Sequence, residues 1–248
     1  MRIFAKTDVG IRRENNQDAF DAGVFYGGNG WAVVCDGMGG VNGGQVASSM
    51  CVSEVSQAIQ DGYNSDMTVN DAMMLLRSAI SAANTKVFEK SVSDYELNGM
   101  GTTVVAVIVL DGLAVIAHVG DSRAYTIDLA ENKIIPLTKD HSLVQFFVDS
   151  GRITEEMAKV HPDRNIITRA VGIENFVDVD INMADVSSDK LLLICTDGLN
   201  GYVDDDEILK VIKNNVDDSA DNLVDTANMA GGHDNVTVVV LGADIQGE

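Results

Sequence analysis

The sequence predicts an α+β sandwich of four layers, α-β-β-α, in which two packed antiparallel sheets are flanked by helix pairs. Three observations lead there: strand-length apolar runs lie in both halves of the chain, helical patterns come in pairs between them, and no repeat or low-complexity linker interrupts the order. With 248 residues, 46% of them hydrophobic, the chain can bury a sizeable core. Residues 1–248 are therefore expected to form a single domain.

The elements follow in order. Ile3 to Val9 alternates apolar and polar side chains, and Trp31 to Cys35 is a short apolar run ending at Asp36-Gly37; both predict strands. Small and apolar residues recur at helical spacing from Gly43 to about Gln60, and again from Asp71 to about Lys90 through Met73, Leu76, Ile80 and Val87. Thr102 to Leu110, Leu113 to Val119 and Ala124 to Leu129 are β-branched or apolar runs separated by Asp-Gly and Gly-Asp turn signals, the pattern of an antiparallel meander. Segment 140–166 breaks that rhythm with short helical patterns at Ser142 to Asp149 and Thr154 to Val160, punctuated by Gly151 and His161-Pro162, and predicts an excursion from the core. Strand signals return at Val177 to Met183 and Leu191 to Cys195. Helical patterns near Asp204 to Lys213 and Ser219 to Met229 precede a last strand at Val236 to Leu241.

Composition excludes several functions. A formal charge of −21 opposes binding to nucleic acid or an anionic membrane surface, both of which rely on neutralising phosphates with Lys and Arg. No apolar run approaches the roughly 20 residues a membrane span needs. The opening residues lack the apolar centre and cleavage site of a secretory signal, so the expectation is a cytoplasmic protein. Cys35, Cys51 and Cys195, an odd number without CxxC spacing, predict reduced core thiols.

Five aspartates carry the candidate chemistry: Asp18, Asp36, Asp121, Asp197 and Asp234, each where a predicted strand meets a turn. Taken singly, each is an ordinary turn former. The apolar strands just before Asp36, Asp121 and Asp197 would hold their carboxylates rigidly at strand ends, where like charges repel unless a cation joins them. Mg2+ and Mn2+ take oxygen ligands from few side chains plus a peptide carbonyl, which Gly37, lacking a Cβ, is suited to supply. Two such ions about 3.5 to 4 Å apart would activate a shared water for in-line attack at phosphorus. A phosphate also needs a cationic fork; Arg13 offers one and Arg12 beside it is the alternative, which chemistry alone leaves open.

The order of motifs resembles the metal-dependent protein phosphatases of type 2C, the PPM family, in their compact bacterial form. The match comprises Thr7-Asp8-Val9-Gly10 with Arg13-Glu14-Asn15-Asn16-Gln17-Asp18, then Val34 to Gly40, Gly101-Thr102-Thr103, His118 to Arg123, Thr168 to Gly172, Cys195 to Leu199 and Asp234 to Thr237. The resemblance implies hydrolysis of phosphoserine and phosphothreonine in proteins by a metal-activated water. It implies that Asp36 bridges two metals, Mn2+ or Mg2+, that Asp197 and Asp234 complete the first site, and that the Gly37 carbonyl serves the second. It also places Asp121, with Asp197, at an optional third ion, Asp18 behind the water, and Arg13 rather than Arg12 on the substrate phosphate. Segment 140–166 becomes a flap beside the site. The implied partners are phosphorylated proteins, a serine/threonine kinase among them, with the phosphatase acting as a monomer. Gln17 departs from the glutamate of many members, and Met38 and Val41 stand where relatives carry histidines, so no proton donor is assigned.

The four histidines, His118, His141, His161 and His233, show no zinc spacing such as HExxH, and a core role is expected for His118 within its apolar strand. A cysteine-nucleophile phosphatase is excluded because the positions six residues after the cysteines are Val41, Gln57 and Gly201 rather than arginine. The rival from another class is a catalytically inactive relative serving as a binding or scaffold module, which would be expected to have lost metal aspartates.

Overall fold

The computed structural model describes residues 1–186 and 189–243, with the side chain of Val41 also outside the description. Its strands are β1 (Arg2–Asp8), β2 (Asp18–Val24), β3 (Gly30–Met38), β4 (Gly101–Thr102), β5 (Val104–Leu110), β6 (Leu113–Val119), β7 (Arg123–Asp128), β8 (Lys133–Pro136), β9 (Asp180–Asp185), β10 (Lys190–Cys195) and β11 (Val236–Gly242). Its helices are α1 (Gly40–Gly62), α2 (Val69–Ser93), α3 (Leu143–Asp149), α4 (Glu155–Lys159), α5 (Asp197–Asn200), α6 (Asp205–Asn214) and α7 (Ser219–Met229). One sheet has the order β1-β11-β10-β7-β8; the other runs β2-β3-β5-β6-β9, with β4 paired to β3. Every pairing is antiparallel.

Side-chain alternation explains why central strands are apolar throughout. On β5, Val105, Val107 and Val109 face the opposite sheet while Val104, Ala106 and Ile108 face α1 and α2. The other sheet repeats the device: Leu192, Ile194, Val239 and Leu241 point between the sheets, and Leu191, Leu193, Val238 and Val240 pack under α6 and α7. Three apolar layers thus separate four layers of secondary structure, and the expected sandwich is present. The flanking helices are locally well specified. Thr68 accepts from the Asp71 N–H while the Asp71 carboxylate accepts from Thr68, a capping box that starts α2.

Several expectations need correcting. Of the expected meander only the β5–β6 pair exists, because after β6 the chain crosses to the other sheet and β7 pairs with β10 and β8. The crossing occurs at Gly120, whose φ of +107° turns the backbone where a side chain would be strained. The apolar run beginning at Trp31 continues as strand through Asp36 and Gly37 to Met38. Strands β2 and β8 were not expected, being short of apolar residues. The strand expected from Val177 begins only at Asp180, and the run from Thr102 is split at Thr103, whose N–H turns to Asp36 O. The three cysteines are free and buried, as expected. Segment 140–166 departs from the sheets and carries α3 and α4. Among the described residues no helix is long and apolar enough to cross a membrane.

Candidate metal centre

The alternation that builds the inter-sheet layer also ends it. Ile3 and Ala5 lead to Thr7, Ala22 and Phe20 to Asp18, Ala32 and Val34 to Asp36, Ile194 to Thr196, and Leu241 and Val239 to Thr237. At one end of the sandwich the layer between the sheets therefore changes from apolar to oxygen-rich. Asp18 and Asp36 are directly opposed in the β2–β3 register, which brings two carboxyls together with no loop involved.

The remaining aspartates flank strand ends. Asp197 opens α5 directly after β10, Asp234 precedes β11, and Asp121 follows the Gly120 crossing. The junction between the exit of β10 and the entry of β11 is tight: a Cβ on Gly198 would lie 1.9 Å from Asn235 O. A Cβ on Gly37 would lie 2.0 Å from Gly44 O, so β3 and the start of α1 also meet backbone to backbone.

Electrostatically the cluster is one of mutual repulsion. Loss of water pushes the Asp36 carboxyl well above the ordinary carboxylate range, and Asp18, Asp197, Asp121 and Asp234 push it further. Burial is also the largest cause at Asp18, raised to about 7 against two hydroxyl hydrogen bonds, and at Asp121, raised to about 8 with help from Asp197 and Asp140. Asp197 rises to about 6 through burial and the Asp234 charge, although a hydrogen bond with Asp36 opposes the shift. The hydrogen bonds around them are one-sided. Asp18 Oδ2 accepts from Thr196 Oγ1 at 2.9 Å and Thr237 Oγ1 at 2.7 Å, whereas Asp18 Oδ1 and Asp197 Oδ1 are buried without a partner.

Two orphaned carboxylate oxygens among raised acids are costly unless protons or cations satisfy them. All-oxygen donors are what hard divalent cations bind, so these residues fit Mg2+ or Mn2+. The structure brings together Asp18, Asp36, Asp121, Asp197 and Asp234, with Gly37 adjoining Asp36 on β3. Arg13 joins them: its Nη2 donates to Asp234 Oδ2 at 2.7 Å, while the guanidinium side chain stays 52% exposed and accessible to a ligand.

Sequence reasoning missed the supports. Asn235 is buried and ties the loop bearing Arg13 to the cluster, accepting from Gln17 N–H and donating to Val9 O and Asn15 O. Thr196 and Thr237 stood in the quoted motifs without a role. Asp140 carried no signal beyond preceding His141, yet it accepts from Arg123 through both oxygens at 2.7 and 2.8 Å and lies near Asp121. His118, His141 and Asp180 form a separate group with ligand-type atoms within 4.8 Å of one another. There His141 Nδ1 accepts from Gly120 N–H, which leaves the ring proton on Nε2 facing Asp180 Oδ2 at 3.4 Å, and Arg169 Nη1 donates to Asp180 Oδ1 at 2.7 Å. Hydrogen bonds account for this second group.

A family profile described as Protein phosphatase 2C matches residues 11–232. The Listeria monocytogenes protein named serine/threonine phosphatase stp is 38% identical over 245 residues, covering 97% of this chain and 95% of the relative. Among solved structures, serine/threonine phosphatase Stp1 from Staphylococcus aureus superposes with a TM-score of 0.90 at 35% identity, covering 99% of this chain and 95% of that one. The catalytic domain of the serine threonine protein phosphatase PstP, solved in complex with two manganese ions, is similar with a TM-score of 0.82 and 32% identity over 96% of each chain.

Proposed function

The chain belongs to the protein phosphatase 2C family and is a metal-dependent serine/threonine phosphatase, and we propose that Asp36, Asp197, Asp234 and the Gly37 carbonyl hold its two core cations. Asp121, with Asp197, would take a third. The observation that carries this assignment is the convergence of five aspartates from five separate segments, with the carboxyls of Asp18, Asp36, Asp121 and Asp197 raised and buried oxygens left unpaired. When bound, Mn2+ or Mg2+ would neutralise charge on the phosphoryl group and lower the pKa of a water.

The chain's own residues do the rest. Arg13, already extended toward the cluster on Asp234, offers a planar fork to two phosphoryl oxygens and fixes the substrate's orientation. Asp18 is locked by Thr196 and Thr237, so its free Oδ1 is aimed and available to accept a hydrogen bond from a water. Thr237 is itself bonded to Thr7, and Thr7 accepts from Asn16, so the chain of support reaches back to the loop bearing Arg13. No described side chain is assigned as proton donor.

The substrates we propose are phosphorylated proteins, including a serine/threonine kinase that the phosphatase opposes, met in the cytoplasm by a monomer whose residues 1–248 act as one domain with segment 140–166 as flap. The decisive experiment is hydrolysis of p-nitrophenyl phosphate and phosphothreonine peptides. Turnover is expected with Mn2+ or Mg2+ and none with EDTA, and Asp36→Ala should abolish it while the chain stays folded. Full activity in excess EDTA would overturn the assignment, and a folded, metal-loaded chain with no turnover would favour a binding module.

A further inference from the structure

We infer that His141 is a positioning residue for the reaction: its imidazole clamps the Gly120–Asp121 corner to the root of segment 140–166 and thereby fixes where the Asp121 carboxylate points. The inference rests on the reading of Asp121 as a cation ligand. Gly120 has no side chain to anchor it and cannot accept one, since its φ is +107° and a Cβ would lie 2.6 Å from Thr103 Cγ2. The orientation of Asp121 therefore depends on what grips the backbone and side chains on either side of it.

On the Ser122 side the grip is a hydroxyl pair, with Ser122 Oγ and Thr103 Oγ1 2.7 Å apart, and Thr103 Oγ1 also accepts from Asp36 N–H at 2.9 Å. On the Gly120 side the grip is His141 in both directions. Gly120 N–H donates to His141 Nδ1 at 3.0 Å, and His141 N–H donates to Gly120 O at 2.9 Å. The same residue holds the returning end of the segment, because Thr168 N–H donates to His141 O at 2.7 Å and an isolated bridge joins Ser142 to Ile167 beside it.

The ring itself has little freedom. It is buried and stacked on His118 with centroids 4.8 Å apart, and His118 Nε2 donates to Lys139 O. Asp180 and Arg169 close the other edge of the His141 ring, with Asp180 Oδ2 3.4 Å from Nε2 and Arg169 Nη1 donating to Asp180 Oδ1 at 2.7 Å. A ring stacked on one face, closed along one edge and bonded at Nδ1 transmits its position to Gly120. A residue that only filled space there would keep the main-chain bond to Gly120 O and would not need the Nδ1 acceptor.

That distinction supplies the test. His141→Phe keeps the ring and its stack but loses the acceptor; His141→Asn loses the ring but carries an oxygen near the place of Nδ1. His141→Gln sets its polar atoms farther out, near Nε2. Wild type and variants would be compared by p-nitrophenyl phosphate kinetics, Mn2+ calorimetry and amide hydrogen exchange. With the Phe and Gln variants, kcat should fall about tenfold or more with KM within about twofold, the scale of effect a slightly misplaced group produces. The weakest Mn2+ binding step should weaken and Gly120 should lose exchange protection, while Asn restores all three toward wild type.

If the Phe variant does not fold, the comparison of Gln with Asn decides alone. Wild-type kcat and Mn2+ binding in folded His141→Phe or His141→Gln would overturn the inference. So would equal losses in the Asn and Gln variants that follow only their loss of Tm. Neither result touches the phosphatase assignment, which fails separately if wild type shows no metal-dependent turnover.

Discussion

At the scale of single residues, the roles of Arg12 and Arg13 separate in a way that neighbouring letters cannot express. Arg13 bonds to Asp234 at 2.7 Å, whereas Arg12 is exposed and its N–H bonds to Gly232 O. Arg13→Ala should therefore lower kcat/KM for a phosphothreonine peptide by roughly 10- to 100-fold, the cost of losing charge-assisted bonds to a phosphate of about 1.5–3 kcal/mol. Arg12→Ala should stay within about threefold of wild type. Steady-state kinetics at saturating Mn2+ distinguish them, and equal effects would remove Arg13 from its proposed place. Asp36, Asp121 and Asp197 were legible in the sequence because each follows an apolar run at a turn signal, whereas Asp18 and Asp234 have no apolar run before them and stood out through the order of motifs. Asn235, Thr196, Thr237 and Asp140 were not, since a buried amide or hydroxyl has no periodic signature; its value lies in which distant backbone it meets.

At the scale of elements, the central strands and the alternating edge strand β1 were legible, and the edge strands β2 and β8 were not. β5, β6, β10 and β11 are apolar on both faces because both faces are covered, and such runs are visible by composition alone. β2 has the sequence DAFDAGV and β8 only KIIP, each at a sheet edge with one neighbour, so neither needs or shows a continuous apolar run. The false third strand of the meander has the same origin: apolar strands do not state which sheet they join, and the turn at Gly120 decides it. Close approach between elements makes a prediction here. With a Cβ placed 1.9 Å from Asn235 O, Gly198→Ala must push the β10–α5 junction away from the entry of β11. It should destabilise the fold by about 1–3 kcal/mol or more, as overpacking of a tight contact does, and separate Asp197 from Asp234. Urea denaturation would show the first effect and Mn2+ calorimetry the second; wild-type values in both would mean the junction relaxes without moving the carboxylates.

At the scale of the whole molecule, the sandwich was legible because helical and strand periods alternate in an order that only a few layer architectures accommodate, whereas the position of the site needed the registers. Once Asp18 is seen opposite Asp36 and the inter-sheet layer is seen to end in oxygen, a stability consequence follows for the metal-free protein. Asp18, Asp121 and Asp197 have folded values of about 7, 8 and 6 against an ordinary 3.8, so between about pH 4 and pH 8 the folded state holds protons that the unfolded chain has released. Stability rises with pH only where the unfolded state binds more protons; here the folded state binds more, so the contribution of this set is destabilising as pH increases through that window. These carboxyls titrate as a set, and the slope belongs to the set rather than to any one of them. Cations that take the same oxygens must displace the protons. In EDTA, Tm should therefore decline from about pH 5 to pH 8, and saturating Mn2+ should raise Tm most at the upper end. Calorimetric titrations of Mn2+ in buffers of different ionisation enthalpy should show proton release near pH 6 that shrinks by pH 9. A chelated protein whose Tm rises across the window, or Mn2+ binding without proton release at pH 6, would mean the carboxylates already stand ionised in the empty cluster and that something other than protons holds them together.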